Sequence, residues 1–164
     1  EREELVRIVA EFASSCAEKL RAQRALCGQI PGFIFTNRLR DDQPQRYETA
    51  VLTLPAPTDS TLEIVRQARA ALRQIYRPGF GYKKAGVTLA QIVPATGVQG
   101  TLFAPPDKGK HARLMEALDR VNKVYGRGCI VIAAQGTEPF RMNREHLSPR
   151  YTTDWRVLLT VKAK

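Results

Sequence analysis

Lys83 and Lys84 stand side by side at the head of the segment YKKAGVTLAQIV (82–93), with Thr88 further along it. Arg38, Arg40 and Arg46 crowd an earlier turn at 38–46. Cations on a rigid surface, with backbone N–H groups to set register, suffice to hold a nucleic-acid backbone. On a strand, residues 83 and 84 point to opposite faces, so one of them lines a given face with its i+2 neighbours. Aromatics are 7% of the chain and few are interleaved with these cations. Base stacking is therefore not the expected mode, and phosphate contact without sequence readout is. The plain alternative for any one of these residues is a solvated basic surface.

Catalysis has less support. His111 and His146 are the only histidines, and no GxxxxGK[ST], GxSxG or HExxH pattern occurs. A Cys129–His146 nucleophile pair is conceivable. However, Cys129 opens the apolar run CIVIAAQG (129–136), which reads as a strand where a thiol is inert packing. Asp41 and Asp42 lie in a turn with no third ligand at a useful spacing. We therefore assign no catalytic residue and no metal ligand.

A different kind of signal lies at 94–110. Pro94, Gly97, Gly100, Pro105, Pro106 and Gly109 mark a linker. Inside it sits an apolar island, VQGTLF (98–103). It either docks back on the domain or is a short peptide read by a partner.

Composition narrows the class. The chain has 164 residues with 26 Lys+Arg against 16 Asp+Glu, a formal net charge of +10. That surplus points to a polyanionic partner, nucleic acid ahead of an anionic membrane surface. Apolar residues make up 43%, enough for a packed core. No run of 18 or more apolar residues is present, so no membrane span is expected. The start, EREELVRIVAEF, is acidic then amphipathic and is no secretory signal, and the missing initiator Met points to an excised fragment. Three cysteines without CxxC spacing fit a reducing compartment and neither a disulfide scaffold nor a zinc knuckle.

The elements that must position the cations follow from periodicity. Leu5, Ile8, Val9, Phe12, Cys16 and Leu20 predict a helix from 2 to about 26, ended by Gly28 and Pro31. A strand follows at about 29–38, then a turn at 41–45. A second strand at 46–54 stops at Pro55 and Pro57. Ser60 and Glu63 form a capping-box pattern for a second helix. Its stripe is Leu62, Val65, Ala68, Leu72, Ile75 and Tyr76, with Arg66, Arg69, Arg73 and Arg77 as a neighbouring basic row. Pro78 and Gly79 end it, and 82–93 is a third strand. Beyond the linker, Leu114, Ala117, Leu118, Val121 and Tyr125 predict a third helix stopped by Gly126. Strands are expected at 129–136, 140–147 and 156–163.

Three stretches carry a resemblance: AEKLR (17–21) with FIFTN (33–37), YKKAGVTL (82–89), and LMEALDRVNKVYGRG…AAQG…MNREHLSPRYTTDW (114–155). The chain resembles the C-terminal part of UmuC-like proteins, the catalytic subunits of bacterial Y-family translesion DNA polymerases. The resemblance covers essentially the whole chain. It implies an α+β little finger domain at 1–94, an antiparallel sheet with two helices on one face, in βαββαβ order but lacking its first strand. A linker with a clamp-binding peptide follows at 95–110, and a small helix-plus-strands C-terminal extension at 111–164.

The family's basic motif falls on Lys83 and Lys84, which would hold DNA phosphates, with Thr88 a further contact and Arg46 a weaker one. Bacterial β sliding clamps take pentapeptides of the form QLxLF, which places Gln99, Leu102 and Phe103 as clamp contacts. Gly100 stands where the family prefers Leu, which removes one apolar contact worth about 1–2 kcal/mol. The Mg-binding palm would precede residue 1, so no cofactor is expected here and the fragment would be non-catalytic. By the same resemblance, UmuD′ or the RecA filament would be partners of 111–164, and the setting a bacterial cytoplasm at the nucleoid. Ser148, Pro149, Arg150, Tyr151 and Trp155 fit a folding motif equally well.

A missing internal strand would expose unpaired N–H and C=O rows. Residues 156–162, or a strand swapped in from a second copy, are expected to fill the slot. The competing functional reading is a general nucleic-acid-binding adaptor outside any polymerase, which would not bind the clamp.

Overall fold

The structure, a computed structural model, describes residues 2–96 and 108–137. Helix α1 (Arg2–Ala22) leads into strand β1 (Ala25–Thr36), and β2 (Tyr47–Thr58) returns beside it. Helix α2 (Thr61–Ile75) crosses back to β3 (Tyr82–Val87) and β4 (Ala90–Pro94). Helix α3 (Lys108–Tyr125) and a short 3-10 helix (Ala133–Gln135) are the remaining elements among the described residues. The α+β class with an antiparallel sheet is as expected.

Strand β1 is the centre of the sheet. β2 pairs along one side of it, while β3 and β4 pair in succession along the other. The expected third strand at 82–93 is thus one path broken at Thr88 and Leu89. The internal slot that 156–162 or a swapped strand is expected to fill is not there, because β1 is bonded directly on both sides. Among the described residues the unpaired edges are the outer ones of β2 and of β3/β4, and residues 156–162 lie outside the described residues.

Alternation along β1 sorts the two faces. Ile30 and Ile34 are fully buried, and Gly32 lies against Ala71 of α2. This side meets α1 and α2. The helix–helix seam is built from small residues, Ala10, Ala13 and Ala17 of α1 and Ala68 and Ala71 of α2, all at 0–1% exposure. Close packing of two helices over a three-strand-wide sheet favours alanine there. Ile8, Phe12 and Cys16, expected in the buried stripe of α1, are only half-buried.

Several expected boundaries shift for identifiable reasons. α1 stops at Ala22, and Arg24 takes a left-handed φ of 51°. Gly28 and Pro31 therefore lie inside β1 rather than ending the helix. β2 runs through Pro55 and Pro57 to Thr58. It tolerates them because it is an edge strand, and its register slips between Gln29↔Thr53 and Cys27↔Thr58. Ser60 is the N-cap of α2 but makes no side-chain capping bond, and its hydroxyl is buried without a partner. The buried stripe of α2 is Thr61, Ile64, Val65, Ala68, Ala71, Leu72 and Ile75, which leaves Leu62 exposed.

The segment after the linker departs further. α3 buries Met115, whereas Leu114, Val124 and Tyr125 are exposed. Of the expected stripe, Ala117, Leu118 and Val121 are half-buried, so the contact face is shifted from it toward Met115. Gly126 ends it with a φ of 107°, as the sequence predicts. Residues 129–136 form no strand. Ile130 and Val131 are exposed, and Ile132 and Ala134 pack against the core around the 3-10 helix. The expected strands at 140–147 and 156–163 lie outside the described residues.

Candidate nucleic-acid interface

The face of the sheet opposite the helices carries no helix among the described residues. Direct cross-strand partners share a face, and the register places Phe33 between Thr49 and Gly86, and Phe35 between Tyr47 and Lys84. The open face is therefore Pro31, Phe33 and Phe35 in the middle. Tyr47, Thr49, Val51 and Thr53 lie on one flank, and Lys84 with Gly86 on the other.

These side chains organise one another. The rings of Phe33 and Phe35 stack at 6.0 Å with 20° between planes, and Phe35 and Tyr47 are 5.8 Å apart. The Lys84 ammonium lies 5.6 Å from the Phe35 centroid. The Arg38 guanidinium lies 5.8 Å from the Tyr47 centroid. Each cation is within cation–π range, which steers a long side chain without neutralising it. Gly86 is required here, since a Cβ would overlap the Phe33 ring. Gln29 donates from Nε2 to the Thr53 hydroxyl at 3.2 Å.

The sequence-expected cations divide. Lys84 is on the open face. Lys83 is exposed and is the extra residue where the β1–β3 register shifts between Phe35↔Lys84 and Thr36↔Tyr82. Such a bulge frees its neighbour from strict alternation. Thr88 is exposed at the β3/β4 break, its N–H donating to the Pro31 carbonyl at 2.8 Å. Arg46 shares the strand parity of Ala50 and Leu54, which pack toward the helices. It pairs with Glu48 at 2.8 Å and lies over the Phe80 ring at 5.3 Å. Arg46 is thus not brought to the face that Lys84 lines. Arg40 is paired with Asp42 at 2.8 Å, and that guanidinium holds the Asp42 carboxyl below its ordinary range. Of the turn arginines, Arg38 alone reaches the open face.

Sequence reasoning passed over Phe33, Phe35 and Tyr47 as part of this surface. Their signal was present: two aromatics at i and i+2, and a third directly across a hairpin. Gln99, Leu102, Phe103 and His146 lie outside the described residues. Cys129 is exposed rather than buried in a strand, Cys16 is half-buried and Cys27 is buried. Among the described residues no three of His, Cys, Asp or Glu gather to hold a metal. No helix among them is long and apolar enough to cross a membrane.

Residues 1–102 match the impB/mucB/samB family C-terminal domain. The chain belongs to that family. Residues 112–161 match a second domain, described as a domain of unknown function (DUF4113). The chain is 38% identical over 164 residues to the protein UmuC of Salmonella typhimurium strain LT2, covering 98% of this chain and 38% of the relative. It is 39% identical over 150 residues to the protein ImpB of Salmonella typhimurium, covering 90% of this chain and 35% of that protein. It is 40% identical over 153 residues to the protein MucB of Escherichia coli, covering 90% and 35%. The chain thus spans little more than a third of these curated relatives. The UmuC-like resemblance read from the three stretches is borne out.

Proposed function

We propose that this impB/mucB/samB-family chain is the non-catalytic, DNA-holding part of an error-prone translesion DNA polymerase of the SOS response. It grips the phosphate backbone on the open sheet face and tethers to the β sliding clamp through Gln99, Leu102 and Phe103. The observation that supports it best is the row Lys84–Phe35–Tyr47–Arg38, two cations held over rings on the sheet face turned away from α1 and α2. A sheet about 10 Å across offers phosphates a fixed surface. The ammonium and guanidinium groups donate to phosphate oxygens, and the Thr49 and Thr53 hydroxyls add neutral donors. The described cations on that face are carried over rings and offer their donors to phosphate oxygens, so binding is expected to be indifferent to sequence. Phe33 and Phe35 are half-buried, Tyr47 is exposed beside them, and the rings serve to place the cations.

The Mg²⁺ of polymerase chemistry belongs, on this reading, with the palm, and the residues described here act only by position. The clamp peptide lies between Pro94, at the end of β4, and Lys108, at the start of α3. An apolar pair filling a pocket with a glutamine as polar anchor is a recognised mode of short-peptide capture. The α3 extension is the part for UmuD-type or RecA partners.

The test has two arms. Lys83→Ala with Lys84→Ala should weaken binding about equally on unrelated duplexes and lower the log–log salt slope by about 1 per lost contact. A loss that depended on sequence would defeat the backbone reading. Calorimetry against a β sliding clamp, with Leu102→Ala and Phe103→Ala as control, should show binding that the control abolishes. DNA binding without any clamp complex would leave a general nucleic-acid adaptor.

A further inference from the structure

The basic row of α2 is not used by the sheet face. Arg66, Arg69 and Arg73 recur at i, i+3 and i+7 and so share one stripe. That stripe is turned away from the buried Ile64, Ala68 and Ala71. Arg66 and Arg73 are exposed and Arg69 is half-buried.

These three arginines lie in one stripe with no carboxylate among the described residues to neutralise them. Arg21, Arg40, Arg46 and Arg127 each meet a carboxylate. Among the described residues none of Arg66, Arg69 and Arg73 does, and Glu63 is the only acid on the helix. Arg69 also holds its Nε buried with no hydrogen-bond partner, a donor left unsatisfied at cost. Arg77 prolongs the row at the helix end, although its Nη1 is engaged on the Gln74 and Tyr76 carbonyls.

We infer that this stripe is a second nucleic-acid backbone site, on the helix side of the domain and facing away from the sheet site. From Arg66 to Arg73 the helix rises about 10 Å. That matches about three phosphates of one strand at 3.4 Å each along a duplex axis. Guanidinium is the group suited to forked phosphate contact. A protein partner would want apolar anchors, and the stripe carries only Leu62, 37% exposed, at its start. Two sites on opposite sides of one domain let a single molecule hold two nucleic-acid segments together. The holding of two segments rests on the proposed sheet site, whereas the arginine stripe as a backbone site does not.

The experiment uses the whole chain with a donor-labelled and an acceptor-labelled oligonucleotide that do not anneal. Wild type should bring them into energy transfer at a stoichiometry of two strands per chain. Arg66→Gln with Arg73→Gln should abolish the transfer while one strand still binds, and should lower the summed salt slope by about 2. Arg66→Lys with Arg73→Lys should keep most of the slope. In a Lys83→Glu, Lys84→Glu background the remaining binding should vanish with the two arginine changes, which separates this site from the sheet. One strand per chain, with an unchanged slope in the glutamine variant, would overturn the inference. Poly-glutamate capture through these arginines without oligonucleotide capture would overturn it in favour of an acidic protein segment.

Discussion

Arg21 of α1 forks onto Asp119 of α3. Its Nε and Nη2 donate to the two carboxylate oxygens at 2.6 and 2.7 Å, and its Nη1 donates to the Asp59 carbonyl and the Thr61 hydroxyl. One guanidinium thus ties α1, the start of α2 and α3. Met115 of α3 lies beside it, its sulfur accepting from the Thr61 N–H at 3.4 Å. The residue pair joins the first matched domain to the second.

Asp119→Asn should therefore release α3 selectively. The Arg21 side chain is 10% exposed and would keep its charge without its counter-ion. Asp119 is 31% exposed, so the expected loss is about 1–3 kcal/mol, below that of a fully buried pair. Hydrogen exchange should speed up in α3 while α1 and β1 stay protected. Unchanged protection of α3 would show that Met115 alone docks it.

Gly86 and Phe33 give a second test. Gly86→Ala must displace the Phe33 ring, and through the Phe33–Phe35 stack it should loosen the ring beneath Lys84. Overpacking of this kind costs about 1–3 kcal/mol. DNA affinity should fall along with stability, and adding Phe33→Leu should recover the stability without restoring full affinity. Recovery of both would mean that the rings do not place the cations.

Arginine choice discriminates within the proposed interface. Arg38→Ala should weaken DNA binding and reduce its salt dependence, because Arg38 stands over Tyr47 on the open face. Arg46→Ala should mainly affect stability, since it breaks the pair with Glu48 and the contact with Phe80. Fluorescence anisotropy across a salt series reads both. The opposite ranking would move the interface toward the helix side.

The cysteines predict an alkaline effect. Burial pushes the Cys27 thiol up to about 11 from an ordinary 9.0. The native state therefore keeps its proton where the unfolded chain loses it. This contribution is fully present below pH 9 and is lost as pH rises from 9 to about 11, a change of roughly 2–3 kcal/mol. Denaturant midpoints should fall over that window, and Cys27→Ala should flatten the fall. At pH 8, Cys129, which is exposed, should react with a thiol reagent first, and Cys27 only on unfolding.

Much of this was legible in order along the chain. Apolar periodicity located α1, α2, α3 and the hairpin, because helix and strand periods are properties of local spacing. Net charge and the Lys83–Lys84 pair pointed to a phosphate backbone, and three sequence stretches carried the family. What local spacing could not convey was which side each element turns to its neighbours. Pro55 and Pro57 look like strand terminators until β2 is known to be an edge. Leu114 and Tyr125 look like a core stripe until α3 is seen to touch the domain only around Met115 and Asp119. Arg46 and Arg38 have the same chemistry, and strand parity with one carboxylate, Glu48, separates them. Residue type and short-range order were enough for the main helices and the hairpin, the charge and the family. Long-range contacts alone make β1 central, set Lys84 over Phe35 and Arg38 over Tyr47, and leave the α2 arginines without a carboxylate among the described residues. Those facts depend on which residues far apart in the chain are brought into contact.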